Sequence, residues 1–173
     1  MVDNNGVKVN SHMFVNKQDG TLRDVYKIGK VLGEGAFGEV RLCTHRETGE
    51  KRAVKVLKKD AMDEEETAAM LNEINILRGI DHPNVVKIYE YFEDAKRFYI
   101  VTQHIEGGEL FDEIIKRGTF SERDAAVLIK QLLSCVNYCH NKNIVHRDLK
   151  PENIMLEASK EFDEIKVIDF GTA

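Results

Sequence analysis

Apolar and polar positions change their period once along this chain. From Tyr26 onward, short runs rich in Val, Ile and Tyr recur. The breaks between them carry Gly, or the triplet His82-Pro83-Asn84. This predicts strands over 26–32, 39–45, 52–58, 85–92 and 97–103. One helix interrupts them over 63–78, opening with Glu64, Glu65 and Glu66, where the positive end of a helix dipole favours carboxylates. Past Gly107-Gly108 the spacing turns helical. Residues 109–117 set Leu110, Phe111, Ile114 and Ile115 on one side. Ser121 with Asp124 resembles a capping box. Behind it Ala125, Leu128, Ile129, Leu132, Val136 and Cys139 recur at helical spacing. Residues 154–156 and 165–168 read as two further short strands. Five strands with a helix, then helices, describe an α+β chain of two lobes joined near 103–108. Residues 1–22, rich in Asn, Asp and Gly, read as a flexible lead-in with Met13, Phe14 and Val15 as a small anchor.

Composition narrows the class. Hydrophobic residues at 42% against 32% charged give the balance of a globular chain, not a disordered one. Apolar runs such as 98–101 and 125–129 stop far short of the about 20 residues a membrane span requires. The first ten residues lack the basic and apolar regions of a secretory leader, and Val2 excludes myristoylation at this start. Cys43, Cys135 and Cys139 therefore read as reduced thiols of a cytoplasmic protein. Cys135 and Cys139 lie one helical turn apart, but no further His or Cys completes a zinc site. With 25 basic against 30 acidic residues, a net charge of -5 and no basic block, a broad nucleic-acid footprint is not expected.

The stretch Gly33-Glu34-Gly35-Ala36-Phe37-Gly38-Glu39-Val40 fits G-x-G-x-x-G. Small residues let backbone N–H groups approach phosphate oxygens, although the motif alone also fits a turn with no ligand. A dinucleotide fold needs a helix directly after the glycines. Residues 39–43 alternate like a strand instead, and no G-K-[ST] follows, so this is not a P-loop. A strand–glycine turn–strand hairpin is the flap over ATP phosphates in protein kinases. Three more motifs arrive in order: Ala53-Val54-Lys55-Val56, then His146-Arg147-Asp148-Leu149-Lys150-Pro151-Glu152-Asn153, then Asp169-Phe170-Gly171. Together they resemble the signature set of the eukaryotic protein kinases, over residues 24–173.

That resemblance implies a two-lobe protein-kinase-like fold. A small lobe over 23–103 would hold a five-stranded antiparallel sheet and one helix. A hinge and a partial, mainly helical large lobe would occupy 104–173. ATP and Mg²⁺ are the implied cofactors. Lys55, flanked by Ala53, Val54 and Val56, would point into an apolar cleft and hold the α- and β-phosphates, with Glu73 as its counter-ion. Asp148 would be the catalytic base and Lys150 would neutralise the γ-phosphate. Asn153 and Asp169 would supply oxygen ligands suited to Mg²⁺. Gly33, Gly35 and Gly38 would cover the phosphates. Leu32, Val40 and Ala53 would lie above the adenine and Met155 below it. Thr102 would be the gatekeeper, and Gln103 and Ile105 would offer main-chain groups to the base. Leu77, Ile88, His146 and Phe170 match the stack that aligns the lobes, which makes His146 structural.

Lys150 beside Pro151 marks a Ser/Thr-directed loop. Glu109 and Glu152 match acidic positions that meet basic residues near the acceptor of a protein substrate, and Glu109 also reaches the ribose; both also fit as plain surface carboxylates. Arg147 is of the type that answers activation-loop phosphorylation. The texture is similar to the calcium- and calmodulin-dependent group, above all the calcium-dependent kinases of protists and plants, down to the lead-in around Phe14. The calcium-sensing domain of that family would lie outside this chain, since no EF-hand loop occurs in it. The sequence ends just after Asp169-Phe170-Gly171, so a stretch of apolar helix surface is expected to lack cover and the isolated chain to be marginal. Two functions are therefore carried: a Ser/Thr kinase catalytic segment, and a non-catalytic nucleotide-binding or interaction module derived from one.

Overall fold

A computed structural model of the chain describes residues 20–35, 37–157 and 164–170. Met13, Phe14, Val15, Ala36 and Gly171 lie outside them. The β-period segments form β1 (Tyr26–Gly35), β2 (Gly38–His45), β3 (Lys51–Lys58), β4 (Ile88–Glu93) and β5 (Arg97–Gln103). They pair antiparallel in the order β1-β2-β3-β5-β4. β1 and β2 run up to the glycine turn from both sides, so the motif is the tip of a hairpin. β4 starts three residues later than the pattern suggests, because Val85 and Val86 serve a different partner. The Val86 N–H donates to the Val167 carbonyl, and the Val167 N–H donates to that of Asn84.

The sheet has two apolar faces. On the outer face Val54, Val56, Phe92 and Val101 join Leu22, Tyr26 and Cys43. Leu22, assigned to the lead-in by composition, is 3% exposed; it begins a one-turn helix, α1 (Leu22–Val25), capped by Thr21 and Asp24. The inner face packs Leu57 and Ile100 against Met70, Ile74 and Leu77 of α2 (Glu64–Arg78). Burying each of those three side chains contributes about 1.5–3 kcal/mol. Asp63 caps α2: its carboxylate accepts the Glu66 N–H at 2.8 Å, and Glu66 returns the bond to the Asp63 N–H. This is the capping-box arrangement that an acidic helix start favours.

Beyond β5 the chain forms α3 (Leu110–Arg117), α4 (Glu122–Asn141) and a two-stranded antiparallel ribbon of β6 (Ile154–Leu156) and β7 (Ile165–Val167). Ser121 caps α4 by accepting the Asp124 N–H. α4 buries Leu128, Cys135 and Cys139. The expected stripe is thus turned: Leu132 and Val136 are half-buried, whereas Ala125 and Ile129 face outward. The fold matches the expected small lobe of five antiparallel strands and one helix, followed by the helices of a partial large lobe. One apolar cluster crosses between them, running from Leu57 and Ile74 through Leu77 and Ile88 to Val167, Phe170 and Cys135. A polar seam reinforces it. The Asn84 amide donates to the Ile165 carbonyl and to Gln131, whose side-chain oxygen also accepts the Ile165 N–H. All three cysteines are free and buried. No helix among the described residues is long and apolar enough to cross a membrane.

Candidate active site

Lys55 sits in the middle of β3, across from Val40 of β2 and Ile100 of β5. Strand alternation puts its neighbours Val54 and Val56 on the opposite face, so the residues that flank Lys55 inside are Ala53 and Leu57. This corrects the expected apolar collar. Its ammonium lies 3.8 Å from the Glu73 carboxylate. Glu73 is 9% exposed and uses both oxygens. The second accepts the N–H of Phe170 at 3.3 Å. One buried carboxylate therefore ties a cation of the small-lobe sheet to the backbone just after Asp169.

The loop after α4 is held from within. His146 is buried; its Nδ1 accepts the Asp148 N–H at 3.3 Å, while Nε2 faces the Ile168 carbonyl at 3.1 Å. A ring nitrogen that accepts an amide proton has none of its own, so Nε2 carries the hydrogen. The ring also meets Phe170 edge-on at 4.6 Å. His146 is thus structural, as expected, and Leu77, Ile88 and Phe170 are buried in the same cluster. Arg147 and Asp169 both adopt left-handed backbone, with φ of 64 and 60. Such conformations cost about 1–3 kcal/mol at non-glycine residues. Here the surrounding hydrogen bonds hold them, including Ile168 N–H to the Asn153 carbonyl at 2.9 Å.

Asp148, Lys150 and Asn153 converge. The Lys150 ammonium is 2.8 Å from the Asp148 carboxylate. The Asn153 amide donates to the Asp148 carbonyl and carboxylate, each at 2.9 Å. Lys150, with help from Asn153, holds the Asp148 carboxyl below its ordinary range. Asp148 in turn raises Lys150, to which Glu152 and Asp169 add smaller contributions. Asp169 is exposed while Phe170 is buried, so the aspartate is turned out of the core. The Asn153 amide nitrogen is committed to Asp148, and Asn153 itself is buried. Oxygen donors on Asn153 and Asp169 suit a hard divalent ion that shares its remaining positions with phosphate. Among the described residues no group of three or more His, Cys, Asp or Glu is placed to hold a metal ion.

The remaining expected site residues lie on the small-lobe strands, in the joining segment and on β6. Ala53 and Ile105 are buried, Val40, Thr102, Gln103 and Met155 half-buried, and Leu32 is 40% exposed. Gly33 and Gly35 line the hairpin tip, while Gly38 is packed so closely on β3 that a Cβ would fall 1.9 Å from the Val56 carbonyl oxygen. Gly107 and Gly108 zip onto β6, with Gly107 N–H to the Leu156 carbonyl and Leu156 N–H to the Gly108 carbonyl, both at 2.9 Å. Glu109 pairs with Met155 as a single antiparallel bridge. It holds the N-cap position of α3 without a side-chain capping bond, and α3 packs on the Pro151–Asn153 turn that carries exposed Glu152.

One side chain at this junction was not singled out by sequence: Glu157, whose carboxylate accepts from the Gln103 side-chain amide at 2.6 Å. No motif marks it. A concavity of about 980 Å³ lies on the outer face of the sheet, lined by Thr21, Arg41, Lys58 and Tyr99 and reaching Gly35 and Gly38 at the hairpin tip. It holds none of Lys55, Glu73, Asp148, Lys150, Asn153 or Asp169, and its charges are of both signs.

Known proteins identify the family. The family model described as "Protein kinase domain" matches residues 26–173. The chain is 46% identical over 169 residues to calcium-dependent protein kinase 4 of Plasmodium berghei, covering 96% of this chain and 32% of that protein. It is 46% identical over 152 residues to calcium-dependent protein kinase 12 of Arabidopsis thaliana, covering 87% and 31%. It is 40% identical over 147 residues to myosin light chain kinase A of Dictyostelium discoideum, covering 85% and 50%. The chain thus spans about a third of the length of the two calcium-dependent kinases. A glycine hairpin over β3, a Lys55–Glu73–Phe170 bridge and an Asp148–Lys150–Asn153 cluster at one junction say the same as these matches: the chain belongs to the protein kinase domain family, as a Ser/Thr-type domain similar to the calcium-dependent protein kinases.

Proposed function

We propose that this chain is the ATP-handling segment of a Ser/Thr protein kinase, with a small lobe over 23–103 and a hinge and partial large lobe over 104–173. The observation that carries the reading is Glu73, whose carboxylate joins Lys55 to the backbone beside Asp169. Phosphoryl transfer asks a protein mainly for positioning and charge neutralisation, and the residues divide that work. Lys55, kept in place by Glu73, binds the α- and β-phosphates. Leu32, Val40, Ala53 and Met155 enclose the adenine, Thr102 limits the space behind it, and the main chain of Gln103 and Ile105 bonds its edge. Gly33, Gly35 and Gly38 let the hairpin backbone approach the phosphates. Mg²⁺, when bound, would neutralise phosphate charge, and Asn153 and Asp169 are the residues that would hold it. Asp148 accepts the proton of a Ser or Thr hydroxyl as its oxygen bonds to the γ-phosphorus and the bond to ADP breaks. Lys150 offsets charge on the group in transit.

Glu109 and Glu152 favour a substrate with basic residues near the acceptor, and Glu109 also serves the ribose. A calcium response, as in the names of the similar kinases, would come from a domain outside this chain. The decisive experiment is radiolabelled phosphate transfer from MgATP to a basic peptide. Asp148→Ala should cost about 10²-fold or more, as expected for loss of a general base, and Asp169→Ala should abolish transfer. Transfer that survives both substitutions overturns the assignments. Exposed Ile129, Leu133 and Val145 favour a second reading, an interaction module that binds nucleotide without catalysis. Stabilisation by MgATP with no transfer would select it.

A further inference from the structure

We infer that the side chains of Gln103 and Glu157 form a tether between the lobes that fixes the arch of main chain presented to the nucleotide; its consequence for nucleotide binding rests on the kinase reading above. Gln103 ends β5 and belongs to the small lobe, where it pairs with Arg52 of β3 and its N–H donates to the Lys87 carbonyl at 2.8 Å. Glu157 belongs to the large lobe. It follows β6 directly, and its own N–H donates to the Glu164 carbonyl across the ribbon. The Gln103 amide nitrogen lies 2.6 Å from the Glu157 carboxylate. An amide N–H on an ionised carboxylate at that distance is a short, charge-assisted bond. Both residues are half-buried, so water competes less for the pair than on an open surface.

The placement gives the bond its effect. Gly107 and Gly108 are zipped to Leu156. Gln103 is clamped to Glu157, the next residue. The joining segment is therefore fastened at both ends to the same short strand, and only His104, Ile105 and Glu106 arch between the two fastenings. A second contact, from Lys51 at the start of β3 to Glu106 at 3.3 Å, holds the outside of the arch. Rotating the small lobe away from the large one must pull Gln103 off Glu157, because each is built into the sheet or ribbon of its own lobe. Gln103 is thus a positioning residue: it acts through the main chain of its own arch. A glutamate at position 103 would set two carboxylates against each other and could not make this bond.

The test needs no catalytic activity. Spin labels on Lys27→Cys of β1 and Lys130→Cys of α4 report the distance between lobes by pulsed electron resonance. Both positions are exposed, whereas Cys43, Cys135 and Cys139 are buried and should stay unlabelled. Gln103→Ala, Gln103→Glu and Glu157→Ala should each broaden the distance distribution and shift it from that of the parent protein. The exchange Gln103→Glu with Glu157→Gln restores an amide–carboxylate pair and should restore the parent distribution. In parallel, the Kd for a fluorescent ATP analogue should rise on the order of fivefold in each single variant, the usual scale for one lost hydrogen bond, and recover in the exchange. A merely structural role for either side chain would not be rescued by swapping the two. Unchanged distances in the single variants overturn the tether, as does failure of the exchange to restore them. Distances that respond in a protein that binds no nucleotide uphold the tether and sink the kinase reading. Nucleotide binding with unresponsive distances does the reverse.

Discussion

Gly107→Ala provides a quantitative test of how the lobes are joined. A methyl group at this position would lie 2.2 Å from the Leu156 carbonyl oxygen, 2.7 Å from its carbon and 2.8 Å from the Glu157 oxygen. All three are backbone atoms, so no side chain can swing aside. The joining segment and β6 must separate by roughly 1 Å to regain ordinary van der Waals contact. That stretches both backbone hydrogen bonds of the zipper, each 2.9 Å in length, beyond useful range. Overpacking of this kind costs about 1–3 kcal/mol, and each weakened bond adds about 0.5–1.5 kcal/mol. A loss of about 2–6 kcal/mol is expected, against a total of about 5–15 kcal/mol for a typical domain. Gly33→Ala is the control, because nothing lies within 4 Å of an added methyl group there; it should stay within about 0.5 kcal/mol of the parent. Urea unfolding followed by circular dichroism separates the two, with a lower midpoint and an unchanged slope for Gly107→Ala. Coincident curves for the two variants would refute the close approach of the joining segment to β6.

Three further outcomes follow from the same geometry. Glu73→Ala strands the buried Phe170 N–H and should destabilise by about 1–3 kcal/mol, while Glu73→Gln, which keeps an acceptor, should lose less in the same unfolding assay; equal losses would deny that Glu73 serves the backbone. Lys150 depresses the Asp148 carboxyl, so whatever that pair contributes to stability is complete at neutral pH and fades as the pH falls below the ordinary 3.8 through the folded value. Carbon-detected NMR should find Asp148 titrating below 3.8 and moving up towards it in Lys150→Ala, and no movement would contradict the pairing. Burial pushes the Cys43 and Cys135 thiols up to about 12 and raises Cys139 as well, so a disulfide reagent at pH 8 should react with none of them until denaturant is added; rapid reaction of the native protein would contradict their packing.

Much of this was legible in the letters because local physics fixed it. β5 falls where its Val, Ile and Tyr content placed it, and α2 and α4 begin where Asp63 and Ser121 cap them. The motif residues Asp148, Lys150 and Asn153 lie within six positions of one another, so a single tight turn gathers them. What the letters hid was set by long-range packing. Leu22 looks like the end of a polar tail, and only its contact with the sheet makes it core. Val85 and Val86 have strand composition, but Val85 bridges to Val167 and the Val86 N–H bonds to its carbonyl, some eighty residues away. The Gln103–Glu157 bond joins residues 54 positions apart, and neither type is unusual at an exposed site. Ile129 carries the right period for burial, yet α4 leans on β7 through Leu128 and Cys135 and leaves it outside. Periodicity names a face of a helix, and only the neighbours decide how wide that face is.

Covalent capture of the phosphate-binding lysines would test the central claim most directly. An acyl-phosphate derivative of ATP transfers its acyl group to an amine held beside the phosphates, and mass spectrometry then identifies the labelled residue. If Lys55 and Lys150 face one nucleotide from opposite lobes, both should be acylated, excess MgATP should block both, and the many exposed lysines should show no such protection. Labelling spread evenly over surface lysines, with neither Lys55 nor Lys150 protected by MgATP, would contradict the account.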